Sequence, residues 1–162
     1  MLSRFLGMGR LLGKKVGQDA PPSDCVFLME EDVNTENLRE IFKSAFFNVV
    51  VNDDGDLKIT ADCGTKVIVA VDHERKFVKF LALFGMKADR AEIDRLRFIN
   101  RLNSNVVCCC FSMPRDDVLA VEFFVLIEGG VTAFQIVNSY RRLVRTAAKA
   151  IGQHDDDDVV GG

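Results

Sequence analysis

A chain of 162 residues with 48% hydrophobic and 28% charged side chains fits one soluble globular domain with a proper core and short tails. Its net charge of −3 lacks the basic footprint that nonspecific nucleic-acid binding needs, so no nucleic-acid partner is expected. Thirteen phenylalanines against one tyrosine and no tryptophan mark the aromatics as core or interface material, because Phe buries area without a polar handle.

The charge is polarised along the chain. Residues 1–22 hold Arg4, Arg10, Lys14 and Lys15 against Asp19 alone, and the far end carries Asp155, Asp156, Asp157 and Asp158. Met1–Val16 places Leu2, Phe5, Leu6, Leu12 and Val16 on one helical side with the basic groups mostly opposite, interrupted by Gly7, Gly9 and Gly13. The stretch is too broken for a secretory signal and too short to cross a bilayer. Three roles stay open for it. One is peripheral membrane contact through residues 1–16, with Leu2, Phe5, Leu6, Arg10 and Lys14 as the contacting groups. The others are an organellar targeting peptide and a plain N-terminal arm. Ala20-Pro-Pro-Ser23 reads as the linker from this arm, residues 1–22, into a domain over 23–152.

The first domain helix is predicted from Thr35, as N-cap, to Phe46, with Leu38, Ile41, Phe42, Ala45 and Phe46 buried. Strands Asn48–Val51 and Leu57–Ala61 flank Asn52-Asp-Asp-Gly55, a hairpin signal. Asp62-Cys-Gly64 turns into strand Lys66–Asp72, and Phe77–Phe84 follows after Asp72-His-Glu-Arg-Lys76. Asp89 and Glu92 have capping-box spacing for a helix ending near Asn103, with Ile93, Leu96, Ile99 and Leu102 as its apolar side. Strands Val106–Phe111 and Val118–Ile127 are joined by a turn at Pro114-Arg-Asp-Asp117. Thr132 and Gln135 repeat the capping-box spacing for a last helix with the stripe Ile136, Val137, Tyr140, Leu143, Val144, Ala147 and Ile151, closed by Gly152. The acidic tail, residues 153–162, is expected to be disordered. The order α-β-β-β-(β)-α-β-β-α defines an α+β fold, an antiparallel sheet of five or six strands with three helices.

Catalytic and metal chemistry find no support in the residues. Cys25, Cys63 and the run Cys108-Cys109-Cys110 show no C-x-x-C spacing, and the only histidines are His73 and His154, in a predicted turn and tail. Three consecutive cysteines in a strand would alternate between faces, so free, reduced core cysteines in a reducing compartment, the cytoplasm, are expected. The pairs Asp53/Asp54 and Asp116/Asp117 lie in turns, where Asp serves the backbone. No enzyme activity, cofactor or metal is therefore expected.

Binding is the better-supported class. Phe77–Phe84, Val106–Phe111 and Val118–Ile127 are apolar on both faces, whereas a helix-backed antiparallel sheet normally keeps one polar face. Something covers that second face: the chain's own helices, a second copy, or a client segment. Leu119, Val121, Phe123 and Val125 point one way along the last strand and are the candidate partner or dimer surface. Arg141, Arg142 and Arg145, joined by Lys149, stand away from the apolar stripe of the last helix. That basic face is a solvated surface, a site for an acidic partner, or a contact for the Asp155–Asp158 tail.

Three features together resemble the YbjN family of small bacterial proteins, which are labelled sensory transduction regulators: the Asp54-Gly55 hairpin, Asn100-Arg-Leu-Asn103 closing a helix, and Glu128-Gly-Gly-Val-Thr132 opening the last one. The likeness spans residues 33–151. It implies a fold like that of type III secretion chaperones and a non-enzymatic module acting on other proteins, and it carries over no catalytic or ligand residues. The matching residues also have structural roles of their own: Gly129 and Gly130 would allow a left-handed turn, and Asn100 and Asn103 would satisfy backbone groups at a helix end. The expected working form is a homodimer with a chaperone- or adaptor-like role.

Overall fold

The computed structural model describes residues 26–161. In chain order the elements are β1 (Phe27–Leu28), a 3-10 turn (Glu30–Asp32), α1 (Thr35–Ser44), β2 (Val49–Val51), β3 (Leu57–Thr60), β4 (Lys66–Asp72), β5 (Phe77–Gly85), α2 (Glu92–Asn105), β6 (Cys110–Arg115), β7 (Val118–Leu126), β8 (Val131–Thr132) and α3 (Ala133–His154). Strands β2 to β7 form a six-stranded sheet in the order β2-β3-β4-β5-β7-β6, antiparallel throughout. β1 and β8 make a separate two-stranded ribbon.

Most local expectations hold, and the departures have identifiable causes. Asn34, not Thr35, caps α1, its Oδ1 accepting from the Asn37 amide at 3.0 Å. That helix stops before Phe46, which is left at φ +66° and 98% exposed instead of joining the buried stripe. The Asp89/Glu92 box does not form; Ala91 is the N-cap of α2, without a side-chain bond. α2 is also turned from the predicted phase, burying Arg95 and Phe98 with Ile99 and Leu102 while Ile93 and Leu96 face solvent. Arg95 accounts for this, since its Nη1 donates to the Asp116 carbonyl at 2.7 Å and ties α2 to the β6–β7 turn. β6 begins four residues later than expected because Cys108 takes φ +68°, which no strand tolerates. The strand then runs through Pro114, permissible at a sheet edge. Thr132 and Gln135 do form the capping box, and α3 continues past Gly152 to His154.

One contiguous core joins the inward residues of the sheet to all three helices. Cross-strand partners set its sheet side: Val69 opposite Phe80, Phe80 opposite Phe123, Phe111 opposite Val121. Tyr140 of α3 stands in an aromatic group with Phe42 and Phe47, edge-on to both at 5.6 and 4.8 Å between ring centres. Burial pushes the Tyr140 hydroxyl up to about 12 from an ordinary 10. The folded state then holds a proton that the unfolded state releases between those values. Stability from this group is complete below pH 10 and is lost as pH rises towards 12. Absorbance titration of this single tyrosine is expected to show ionisation well above pH 10, together with the onset of unfolding. Ionisation at an ordinary pH in a folded chain would contradict its burial.

The acidic tail departs most from expectation. Residues 155–161 are ordered against the β5–α2 connection and α2. Val159 is fully buried, Val160 bridges to Met86, and the Lys87 amide donates to the Val159 carbonyl at 2.8 Å. Each aspartate of the run has a partner. Asp155 accepts from the amides of Val159 and Val160 at 2.6 and 3.0 Å. Asp156 and Asp157 pair with Arg101 at 2.8 and 3.1 Å, and Asp158 pairs with Lys87 and Arg90. The tail therefore binds α2 and the residues before it, not the basic face of α3.

Candidate protein-binding surface

The cross-strand register sorts every sheet residue onto one of two faces. Leu119, Val121 and Phe123 are buried and Val125 is half-buried, all on the helix side, so this candidate set belongs to the core. The physical reason is the pairing of β7 with β5, which places these residues opposite Phe84, Ala82, Phe80 and Val78, on the side packed by the helices. The opposite face lies outside the core cluster. It carries Ile68 and Ala70 of β4, Phe77, Leu81 and Leu83 of β5, and Phe124 and Leu126 of β7. Leu83, Phe124 and Leu126 are exposed by 47%, 44% and 72%, enough to mark a surface that water meets directly. Phe77 and Phe124 pack edge-on at 5.2 Å, and a Lys79–Glu122 ion pair at 3.9 Å sits amid the apolar groups. Among the described residues, the three helices cover only the other face. Self-coverage of both faces is therefore not observed.

The two sheet edges differ. On β6 the Asn103 side chain donates from Nδ2 to the Phe111 carbonyl and accepts from the Phe111 amide, each at 2.9 Å. The amide thus stands where a neighbouring strand's peptide would pair, which blocks that edge. The sequence points to a helix-end role for Asn103; its actual partner lies eight residues on. Asn103→Ala is expected to cost about 1–2 kcal/mol, two hydrogen bonds to the backbone of a buried residue, as read by urea unfolding. Asn103→Asp keeps only the bond from the Phe111 amide, so it should fall between. The β2 edge, Val49-Val50-Val51, carries no charge, proline or bulge, and Val50 and Val51 are exposed.

Arg141, Arg142, Arg145 and Lys149 are exposed on α3, and among the described residues none of them has an acidic group within ion-pair distance. Arg141 lies over the Phe47 ring, 5.5 Å from its centre. The cysteines are not core residues as expected: Cys63, Cys108 and Cys110 are exposed and Cys109 is half-buried. Burial pushes the Cys109 thiol up to about 11, whereas Thr65, with its hydroxyl 3.3 Å away, lowers that of Cys63. His73 is exposed on the β4–β5 turn. Among the described residues, no group of three or more His, Cys, Asp or Glu side chains could hold a metal, and no helix is long and apolar enough to cross a membrane. Leu2, Phe5, Leu6, Arg10 and Lys14, together with Cys25 and the proline linker, lie outside the described residues.

A six-stranded antiparallel sheet with three helices is a type III secretion chaperone-like fold. The chain belongs to the YbjN family, whose sequence profile, described as "Putative bacterial sensory transduction regulator", matches residues 34–157. Among solved structures it is similar to YbjN from E. coli, described as "a putative transcription regulator", with a TM-score of 0.65 at 13% identity over 80% of this chain and 96% of that one. It is also similar to the Yersinia pestis type III secretion chaperone SycH, solved in complex with a stable fragment of YscM2. That match has a TM-score of 0.52 at 18% identity over 73% of this chain and 97% of the chaperone. Among curated proteins, none matches significantly.

Proposed function

We propose that this protein is a non-enzymatic, cytoplasmic protein-binding module that works as a homodimer with a chaperone- or adaptor-like role. The observation that carries this reading is the outward sheet face, apolar from Ile68 across Leu81 and Leu83 to Phe124 and Leu126. Exposed apolar surface of this kind, crossed by the Lys79–Glu122 pair, costs free energy in water, which a second copy or a client would recover. The Lys79–Glu122 pair on that face would set the register of whatever packs there, and the basic face of α3 would favour acidic partners. The SycH structure, a similar fold holding a fragment of another protein, supports the class of activity.

Light scattering on the full chain tests the homodimer. The expected mass is that of two copies. Leu83→Asp with Phe124→Asp is expected to give one copy with an unchanged circular dichroism spectrum, because both residues lie outside the core. A wild-type monomer throughout the concentration series would remove the homodimer. A dimer that survives the double substitution would move its interface off this face.

A further inference from the structure

Several features that packing alone does not explain meet at one cleft. It lies between the C-terminal end of α1, α3 and the β3–β4 turn, and has a volume of about 460 Å³. That is the size of a site for a single small molecule. Ala45, Phe47 and Val144 supply apolar wall.

The first feature is Tyr140. It is 2% exposed, its hydroxyl has no hydrogen-bond partner among the described residues, and it lines the cleft with Asp62 and Cys63. A buried hydroxyl without a partner costs about 1–3 kcal/mol, so its retention in place of phenylalanine asks for a reason. The second is Phe46, also on the cleft wall, almost fully exposed and at φ +66°, a position where a helix end ordinarily takes glycine. An aromatic ring kept there gains nothing from the core. The third is the pair Arg141 and Arg145, one helical turn apart on the same side of α3 and lining the same cleft. Neither has an acidic partner within ion-pair distance among the described residues, and Arg141 is already positioned over Phe47. Asp62 stands with them on the cleft wall. Two cations and one carboxylate leave one net positive charge.

We propose that this cleft binds a small carboxylate with an apolar body, of the size of an aryl acid or a medium-chain fatty acid. Arg141 and Arg145 hold the carboxylate, since guanidinium forks match its geometry. The Tyr140 hydroxyl donates the hydrogen bond it otherwise lacks, and Phe46 and Phe47 cover the apolar body. The single net positive charge favours a monoanion. The proposal does not rest on the outward sheet face, because the cleft lies on the helix side of the sheet. It gives Arg141 and Arg145, part of the basic face of α3, a small-molecule carboxylate to hold.

The chain supplies its own reporters. Tyr140 is its single tyrosine and there is no tryptophan, so ultraviolet-excited emission reads this site directly. Alkylation of Cys63, resolved by mass spectrometry against the exposed Cys108 and Cys110, reads occupancy of the wall. Octanoate is titrated into the full chain below its micelle-forming concentration, with octanol and acetate as probes carrying only one half of the ligand. Octanoate is expected to change Tyr140 emission saturably and to slow Cys63 alkylation several-fold, leaving Cys108 and Cys110 unaffected. Octanol and acetate should bind roughly tenfold more weakly or worse. Arg141→Gln with Arg145→Gln, both at exposed positions, should weaken octanoate by roughly tenfold and leave octanol unchanged. Tyr140→Phe, followed through Cys63, should also weaken octanoate. No saturable response, protection of all three cysteines alike, or undiminished octanoate affinity in the arginine double variant would each overturn the site.

Discussion

Replacing Gly130 with alanine is expected to cost the fold about 3 kcal/mol, while the same change at Gly129 costs about 1 kcal/mol. Both glycines have positive φ, +76° at Gly129 and +104° at Gly130, so each substitution pays for a conformation that L residues rarely adopt. Only Gly130 adds a collision. A Cβ there would lie 2.4 Å from Phe27 Cζ and 2.7 Å from the Leu28 carbonyl oxygen, whereas nothing lies within 4 Å of the corresponding position at Gly129. The half-exposed Phe27 ring can swing away, but Leu28 is backbone of β1, paired with Val131 and buried. The collision therefore pushes β1 off β8 and disturbs the Leu28 and Val131 part of the core, which is where the larger cost arises. Urea unfolding of the two variants side by side checks the difference. Equal costs at the two positions would mean that β1 is not held against the Gly129-Gly130 turn.

Val159→Ala is expected to cost about 2 kcal/mol, a core-sized loss from a residue that follows four consecutive aspartates. Val159 is fully buried, and its neighbours hold the tail in register: Val160 on Met86, and the Gly161 amide donating to the Gly85 carbonyl at 2.9 Å. The ion pairs beside it are exposed. Asp156→Asn with Asp157→Asn is therefore expected to cost under about 0.5 kcal/mol, and that cost should vanish in high salt. Thermal unfolding in low and high salt separates the two contributions. A large, salt-sensitive loss in the Asn variant with no loss in Val159→Ala would mean that charge, not the buried valine, holds the tail.

These two sites also show where sequence reasoning stops. Gly129-Gly130 between a strand and a capping box is a local signal, and the left-handed turn is there. The clash that makes Gly130 the stricter of the two comes from β1, a hundred residues upstream in the chain, and no local pattern reports it. The aspartate run reads as solvated because composition counts charges without their partners. Those partners, Lys87, Arg90 and Arg101, lie 71, 68 and 55 residues away. Asn103 shows the same limit at closer range: its place near a helix end was legible, but its pairing with the Phe111 peptide depends on α2 lying along the edge of β6.

What the sequence determined by itself is the order of the three helices and the six strands of the main sheet, the hairpins β2–β3 and β4–β5 and the cap of α3, because turn chemistry and helix caps act within four or five residues. The β1–β8 ribbon, two residues a side and joined across the chain, left no such local mark. It also determined that β5 and β7 carry apolar residues on both faces. Which face of β7 turns inward was decided only in the tertiary structure. A period-two pattern apolar on both sides leaves the two faces nearly equal, with Glu122 of β7 and Lys79 of β5 as the only charges to separate them. The choice is fixed by the β5–β7 pairing and by where the stripe of α3 comes to rest. The core set Leu119, Val121 and Phe123 and the outward set Phe124 and Leu126 are both apolar, and Glu122 among the outward set is the one mark in this strand that tells the faces apart. The cleft around Tyr140 is likewise a product of packing alone, since α1, α3 and the β3–β4 turn are far apart in the chain and meet only when the sheet closes beneath them.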